Sequence, residues 1–264
     1  MKRVLASLCL LFFAVSVFGQ MAPAAPKPEF YLIHEEVAKP SMLMQYESIS
    51  REMLSAFTEK NADPKVMGMS LYTTTDFHYV YIVPIPNFGG IDAINQGFMT
   101  MAQALGKDRW KDIMSRSNAT MSSYNEFVVM RRPDLSYVPA TPRVAQADVR
   151  FNHWAFYYLD ASKAQEDVEQ VARDYAALFR SKNVPDPFNV FIAASGNDLP
   201  LLIVSVPAKS AADYYNEEER INAILGADVR PLQARAMMNT RKYEVKDARF
   251  RPELSYPVPA ATTK

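Results

Sequence analysis

The chain is poor in residue types that often carry chemistry. Its 264 residues include one cysteine, three histidines and eight glycines. A single cysteine excludes an internal disulfide framework, so the fold must be held by its apolar core. Eight glycines are too few for a fold organised around glycine-rich phosphate loops. Excess charge of either sign is absent, with 29 basic residues against 29 acidic ones. That balance offers no basic surface to nucleic acid or an anionic membrane. The histidines form neither a His-x-x-His nor a His-Glu-x-x-His spacing, so no metal centre is expected. No nucleophile-elbow sequence supports serine-histidine-aspartate hydrolysis.

What is present begins with an address. Lys2 and Arg3 precede an uncharged apolar run, Val4 to Phe18, and Val17-Phe18-Gly19 supplies a cleavage signal before Gln20. The run is shorter than the ~20 residues of a membrane-spanning helix. Residues 1–19 therefore read as a secretory signal peptide, and the expected location is secreted or periplasmic. Cleavage would remove the only thiol, Cys9, and would leave no integral membrane segment. Residues 20–29 read as an extended Pro/Ala linker, and residues 258–264 as a loose tail.

The remainder repeats itself. Arg132-Pro133-Asp134-Leu135-Ser136-Tyr137 recurs as Arg251-Pro252-Glu253-Leu254-Ser255-Tyr256, and Leu105-Gly106 recurs as Leu225-Gly226. Phe57 and Lys60-Asn61 recur as Phe179 and Lys182-Asn183, Asp63-Pro64 as Asp186-Pro187, and Val83-Pro84 as Val206-Pro207. The offsets drift between 119 and 123 residues, too long a period for a solenoid. They define two α+β repeats, residues 30–139 and 148–257.

Each repeat shows the same local patterns. Phe30 to Val37 and Phe151 to Leu159 are rich in aromatic and branched residues and predict strands. Met42, Tyr46, Ile49, Met53 and Phe57 form one apolar stripe, matched by Ala164, Val168, Val171, Tyr175 and Leu178, so a helix follows in each. Hairpins are expected over Val66–Thr73 with His78–Val83, and over Phe188–Ala194 with Leu201–Val206. A second helix, a short helical segment after Leu-Gly, and a last strand complete each copy. The order β-α-β-β-α-β, written twice, predicts an α+β fold of two tandem ferredoxin-like units packed sheet to sheet.

This layout, over residues 30–256, resembles the dimeric α+β barrel superfamily in a tandem, single-chain form. The resemblance rests on element order and duplication. It implies a pseudo-dimeric barrel, monomeric through internal pairing, with a sheet-lined cavity between the halves. Relatives include small monooxygenases, haem-degrading enzymes, isomerases, decarboxylases and stress-related proteins, so the fold alone does not select a function.

His34, His78 and His153 all fall on expected strands. Alternation places His34 and Glu36 on one face, and Tyr124 and Glu126 on one face of the last strand of the first copy. If these faces line the cavity, they form a proton-transfer cluster. The alternative is that they are solvated or satisfied by the backbone. His34 and Glu36 are the candidate catalytic pair; His78, Tyr81, Tyr124, Glu126, His153 and Tyr157 are candidate ligand-binding residues. An offset of 123 sets His34 against Tyr157 and Glu36 against Leu159, so a site would belong mainly to the first copy.

The abundant strand aromatics serve core packing or an aromatic pocket. The leading expectation is a protein that binds a small apolar or planar ligand between its halves. The alternative is a cofactor-free oxygenase or isomerase using the His34/Glu36 pair in the barrel cavity. No cofactor is expected. Haem on an axial histidine is the exception the resemblance leaves open, although Asn152-His153-Trp154 are consecutive and do not reproduce the separated Asn, His and Trp of haem-degrading relatives. The repeated Arg-Pro-acid-Leu-Ser-Tyr reads as a clasp, its tyrosine covering a sheet edge and its Arg and acid pairing locally.

Overall fold

The computed structural model describes residues 28–162, 165–196 and 198–258. The leader and most of the linker and tail lie outside them. The first half runs β1 (Glu29–Ala38), α1 (Leu43–Glu59), α2 (Pro64–Met67), β2 (Ser70–Thr74), β3 (His78–Ile85), α3 (Gly89–Leu105), α4 (Lys107–Thr120) and β4 (Met121–Arg131). The second runs β5 (Phe151–Leu159), α5 (Gln165–Ser181), β6 (Asn189–Ser195), β7 (Leu201–Ala208), α6 (Ala211–Leu225), α7 (Arg230–Met238) and β8 (Thr240–Phe250). Among the described residues no helix is long and apolar enough to cross a membrane.

Asn61 and Asn183, at φ of 51° and 52°, turn the chain out of α1 and α5. Asparagine tolerates this left-handed conformation at a helix end. The expected strand start at Val66 is instead α2, because Pro64 occupies its first turn and the Asp63 side chain accepts from the Lys65 N–H. The segments after Leu-Gly are longer than expected, since α4 extends over 14 residues.

The eight strands close into one barrel in the order β1-β3-β2-β8-β5-β7-β6-β4, with every pair antiparallel. Each half supplies four consecutive strands, and the halves join edge to edge at β2–β8 and β4–β6. This corrects the expectation of two sheets facing each other across a cavity. Closure pairs the strand edges that two separate sheets would leave open. The interior is filled instead by alternate side chains, among them Ile33, Val80, Val129, Trp154, Leu201 and Ile203, with Tyr72, Phe127 and Phe156 packed against them. Residues of the opposite parity face the helices: Leu32, Val83 and Val128 meet Ile94 of α3, while Leu159, Val190 and Leu202 meet Val168 and Ala176 of α5.

The repeated hexapeptide forms two reciprocal clasps. Arg132, at the end of the first half, donates to its neighbour Asp134 and to Glu169 on α5 of the second half at 2.9 and 3.0 Å. Arg251, at the end of the second half, donates to Glu253 and to Glu47 on α1 of the first half at 2.8 Å. Ser136 and Ser255 each accept from a strand N–H, of Val190 and Leu71, and donate back to the arginine carbonyl. Tyr137 and Tyr256 bridge to Phe188 and Met69 beside β6 and β2. The arginine pairs locally, as expected, but also reaches the other half.

Equivalent positions are fixed by the strand pairings. β1 and β5 each shift register near their ends, between Val37 and Ala38 and between Tyr158 and Leu159. Ala38 therefore matches Leu159, which makes Ala155 the counterpart of His34 and Tyr157 that of Glu36. The 123-residue offset had set Tyr157 against His34 and Leu159 against Glu36; it holds for β3 and β7, where Ile85 and Ala208 pair with Phe30 and Phe151. The Asp63-Pro64 and Asp186-Pro187 match is not a structural equivalence: Asp63 caps α2, whereas Asp186 is buried and ion-paired.

Candidate functional site

Strand pairing decides which way each candidate points. His34 lies opposite both Tyr81 of β3 and Glu126 of β4, and Glu36 lies opposite Tyr124. All five share the outer, helix-facing side of the barrel. The expected placement of the His34/Glu36 pair in the barrel cavity is therefore corrected, because the core side of β1 is given by Tyr31 and Ile33. His153 and Tyr157 also face outward, on β5 of the second half, away from that group. Among the eight candidates only His78 faces the interior, where its Nδ1 lies 2.7 Å from Glu35 and 3.1 Å from Lys246.

The outer cluster of the first half is continuous. His34 Nε2 meets Glu36 at 2.9 Å, and Nδ1 meets Glu126 at 2.8 Å. Only the protonated imidazole donates from both nitrogens. Burial opposes that charge, but the carboxylates of Glu36 and Glu126 outweigh it and raise the His34 pKa above its ordinary value. The second Glu36 oxygen accepts from the Tyr46 hydroxyl, which lies 2.9 Å from that of Tyr81. Desolvation, then the neighbouring Tyr81 and Glu36, push the Tyr46 pKa far up, so it stays a neutral donor. Tyr124 stacks on the His34 ring at 5.9 Å and is 69% exposed, forming the outer wall.

The pH dependence follows from that geometry. A raised folded-state pKa stabilises fully below the unfolded value of 6.5 and loses that contribution as pH rises through the folded value. Urea unfolding from pH 5.5 to 8.5 is expected to show the advantage of the native chain over His34→Gln shrinking with rising pH. An advantage independent of pH would mean that His34 is not held as a cation.

A second feature lies under the helices of the other half. A cavity of about 150 Å³ opens between β7, the segment just before β6, and helices α5 and α6, lined by Tyr175, Phe179, Phe188, Val206, Tyr214 and Ile221 among others. Its polar edge includes Asp186, which pairs with Arg143 at 2.7 Å and Arg220 at 3.2 Å. Beside it His153 stacks flat on Tyr214 at 4.4 Å and contacts Asp247 at 2.8 Å through Nδ1.

No family model matches the sequence, and no curated protein matches it. Solved structures do. An anthrone oxidase-like protein aligns over 84% of this chain and 91% of its own at 7% identity, with a TM-score of 0.54. A mutant chlorite dismutase from Candidatus Nitrospira defluvii aligns over 85% and 92% at 9% identity, with a TM-score of 0.53. The same enzyme in complex with imidazole gives 10% identity over 85% and 92%, with a TM-score of 0.51. The chain shares the closed α+β barrel fold of these proteins. At such identities the likeness carries the barrel and none of its chemistry.

Within this α+β barrel neither His34 nor His78 fits as an axial haem ligand, and His153, held by Asp247 through Nδ1, lies outside the cavity lining. An axial histidine needs a free nitrogen beside a slot for the macrocycle. Both nitrogens of His34 meet carboxylates, and those of His78 lie 2.7 Å from Glu35 and 3.4 Å from Asp76. None of the three histidines lines the cavity. Among the described residues no group of three His, Cys, Asp or Glu is placed to hold a metal ion. The sequence reading missed Tyr46, counted in an apolar stripe, and also Glu35, Lys246 and the Asp186 pairings. A tyrosine in a stripe with a glutamate on the preceding strand was the one available signal.

Proposed function

We propose that the chain is an exported α+β barrel protein, built by duplication of a ferredoxin-like unit, that binds a small apolar ring under the helices of its second half. The observation that carries this reading is the aromatic cavity of about 150 Å³. Apolar cavities of roughly that size accept a benzene-sized guest, and most drug-sized ligands need more. The expected ligand class is kept, but its place moves from between the halves to the sheet–helix cleft. Reciprocal clasps and matching strand order support the duplication. The leader sequence supports export. A barrel closed within one chain, with no unpaired edge to recruit a partner, supports a monomer.

Saturating toluene is expected to raise the melting temperature of the native chain by a few degrees. Val206→Trp, which fills the cleft, should abolish the shift. An equal shift in the filled variant, or none in the native chain, would remove the cleft as the site.

A further inference from the structure

The two halves act as controls for each other. Around His34 the first half places polar side chains where the second places apolar ones. Pairing along the bulged strands matches His34 with Ala155, Glu36 with Tyr157 and Glu126 with Val245. Pairing of β1–β3 and β5–β7 matches Tyr81 with Val204. The left-handed asparagines after α1 and α5 match Tyr46 with Val168, and both are buried. Tyr124 alone keeps its type, as Tyr243. At these six positions the second half has four apolar residues and two phenols, so the fold does not require an imidazole and two carboxylates here. Burying Glu36 and Tyr46 costs free energy that apolar side chains avoid.

The cluster is graded from inside to outside. Tyr46 is 2% exposed and holds Glu36, which holds His34 Nε2. His34 Nδ1 points to Glu126, whose side chain is 52% exposed, and Tyr124 lies flat beside the imidazole. A buried acceptor that fixes a histidine, with the other nitrogen turned outward, is the arrangement of a positioned acid–base group. The groups facing His34 are Glu36 of β1, Tyr81 of β3, and Tyr124 and Glu126 of β4, with Tyr46 of α1 behind Glu36.

We propose that this outer face of the first half is a proton-transfer site for small, planar, neutral carbonyl compounds, with Glu126 as base and His34 as acid. The carbonyl oxygen replaces Glu126 as acceptor of the Nδ1 proton, and Glu126 takes a proton from the carbon beside the carbonyl. The C–H bond breaks, its electron pair becomes the enol C=C bond, and the carbonyl oxygen gains the His34 proton. Return of the enol proton to His34 and of the Glu126 proton to carbon restores the ketone; return at a conjugated carbon gives the shifted isomer. No oxidant or cofactor enters this balance. One cation between two carboxylates leaves the site net negative, which disfavours anionic substrates. Glu36 and Tyr46 are positioning residues. The proposal is independent of the second-half cleft.

The test is hydrogen–deuterium exchange of the acetophenone methyl group in D2O, followed by proton NMR with the full chain. The expected rate is roughly 100-fold above an equimolar imidazole–acetate mixture. His34→Gln and Glu126→Gln should each return it to background while keeping the native melting temperature within a few degrees. Glu36→Gln should move the decline of rate to lower pH, which a merely structural role would not do. Val245→Gln, at the matching place in the second half, should leave the rate unchanged. A native rate equal to that of the mixture, or full exchange in Glu126→Gln, overturns the proposal. Toluene binding is unaffected by either result, so failure here and failure of the cleft are distinguishable.

Discussion

Trp154→Ala is expected to lower stability by about 3–5 kcal/mol, the range for deleting a large aromatic from a packed core. Trp154 lies on β5 and is 7% exposed, its ring centroid 5.4 Å from that of Tyr72 on β2. Tyr72 belongs to the other half, so the substitution opens a void where the two halves meet. Ile33, Val80, Ile203 and Ala248 line the same interior and come from four different strands. They are held by a closed hydrogen-bonded ring and cannot collapse inward to fill the gap. At this chain length each kcal/mol moves the melting temperature by roughly 2–4 °C, so the fall should be large and visible in both urea and thermal unfolding. A loss under about 1 kcal/mol would mean that the barrel interior is a tolerant cavity, not a core.

The same geometry explains what could be read from sequence and what could not. Element order was legible because helix and strand periodicities differ: the stripe Tyr46, Ile49, Met53, Phe57 lies on α1, and β5 begins and ends where its aromatic run does. That His34 and Glu36 share a face followed from alternation alone. Which face looks inward did not. In β1 the inward Tyr31 and Ile33 and the outward Phe30 and Leu32 are equally apolar, since a strand buried against both the barrel core and the helices loses its period-two contrast. The error over the cavity came from this, not from a wrong strand assignment. Tyr46 was hidden because its ring belongs to the stripe while its hydroxyl belongs to the site. The cleft near Tyr214 depends on how α5 and α6 diverge from the sheet, which no local pattern encodes. The clasps were half legible. Arg132 and Asp134 are neighbours in sequence, but Glu47 lies 204 residues from Arg251, and only chain closure brings them together.

Those clasps carry the second large prediction. Arg132→Ala and Arg251→Ala are each expected to cost about 2–3 kcal/mol. Removing one partner of a buried ion pair strands the other charge, and partial solvent access lowers the penalty below that of a fully buried pair. The side chains of Glu169 and Glu47 are only 12% and 19% exposed. Each arginine also ties the end of one half to the first helix of the other, so both variants should loosen the whole barrel and not one half of it. The pH dependence has a definite sign. Arg251 holds Glu47 below the ordinary carboxylate range, and Arg132 does the same for Asp134. A depressed pKa stabilises above the unfolded value of about 4 and loses that contribution as pH falls through the folded one. The gap in urea midpoint between native and variant chains should therefore close on acidification below about pH 4. A charge-free pair, Arg132→Met with Glu169→Met, should recover much of the loss, because apolar replacements of similar volume avoid desolvation. If the double variant is no more stable than Arg132→Ala, the clasp acts through its hydrogen-bond geometry, and the Ser136 and Ser255 bridges to Val190 and Leu71 become the members that matter.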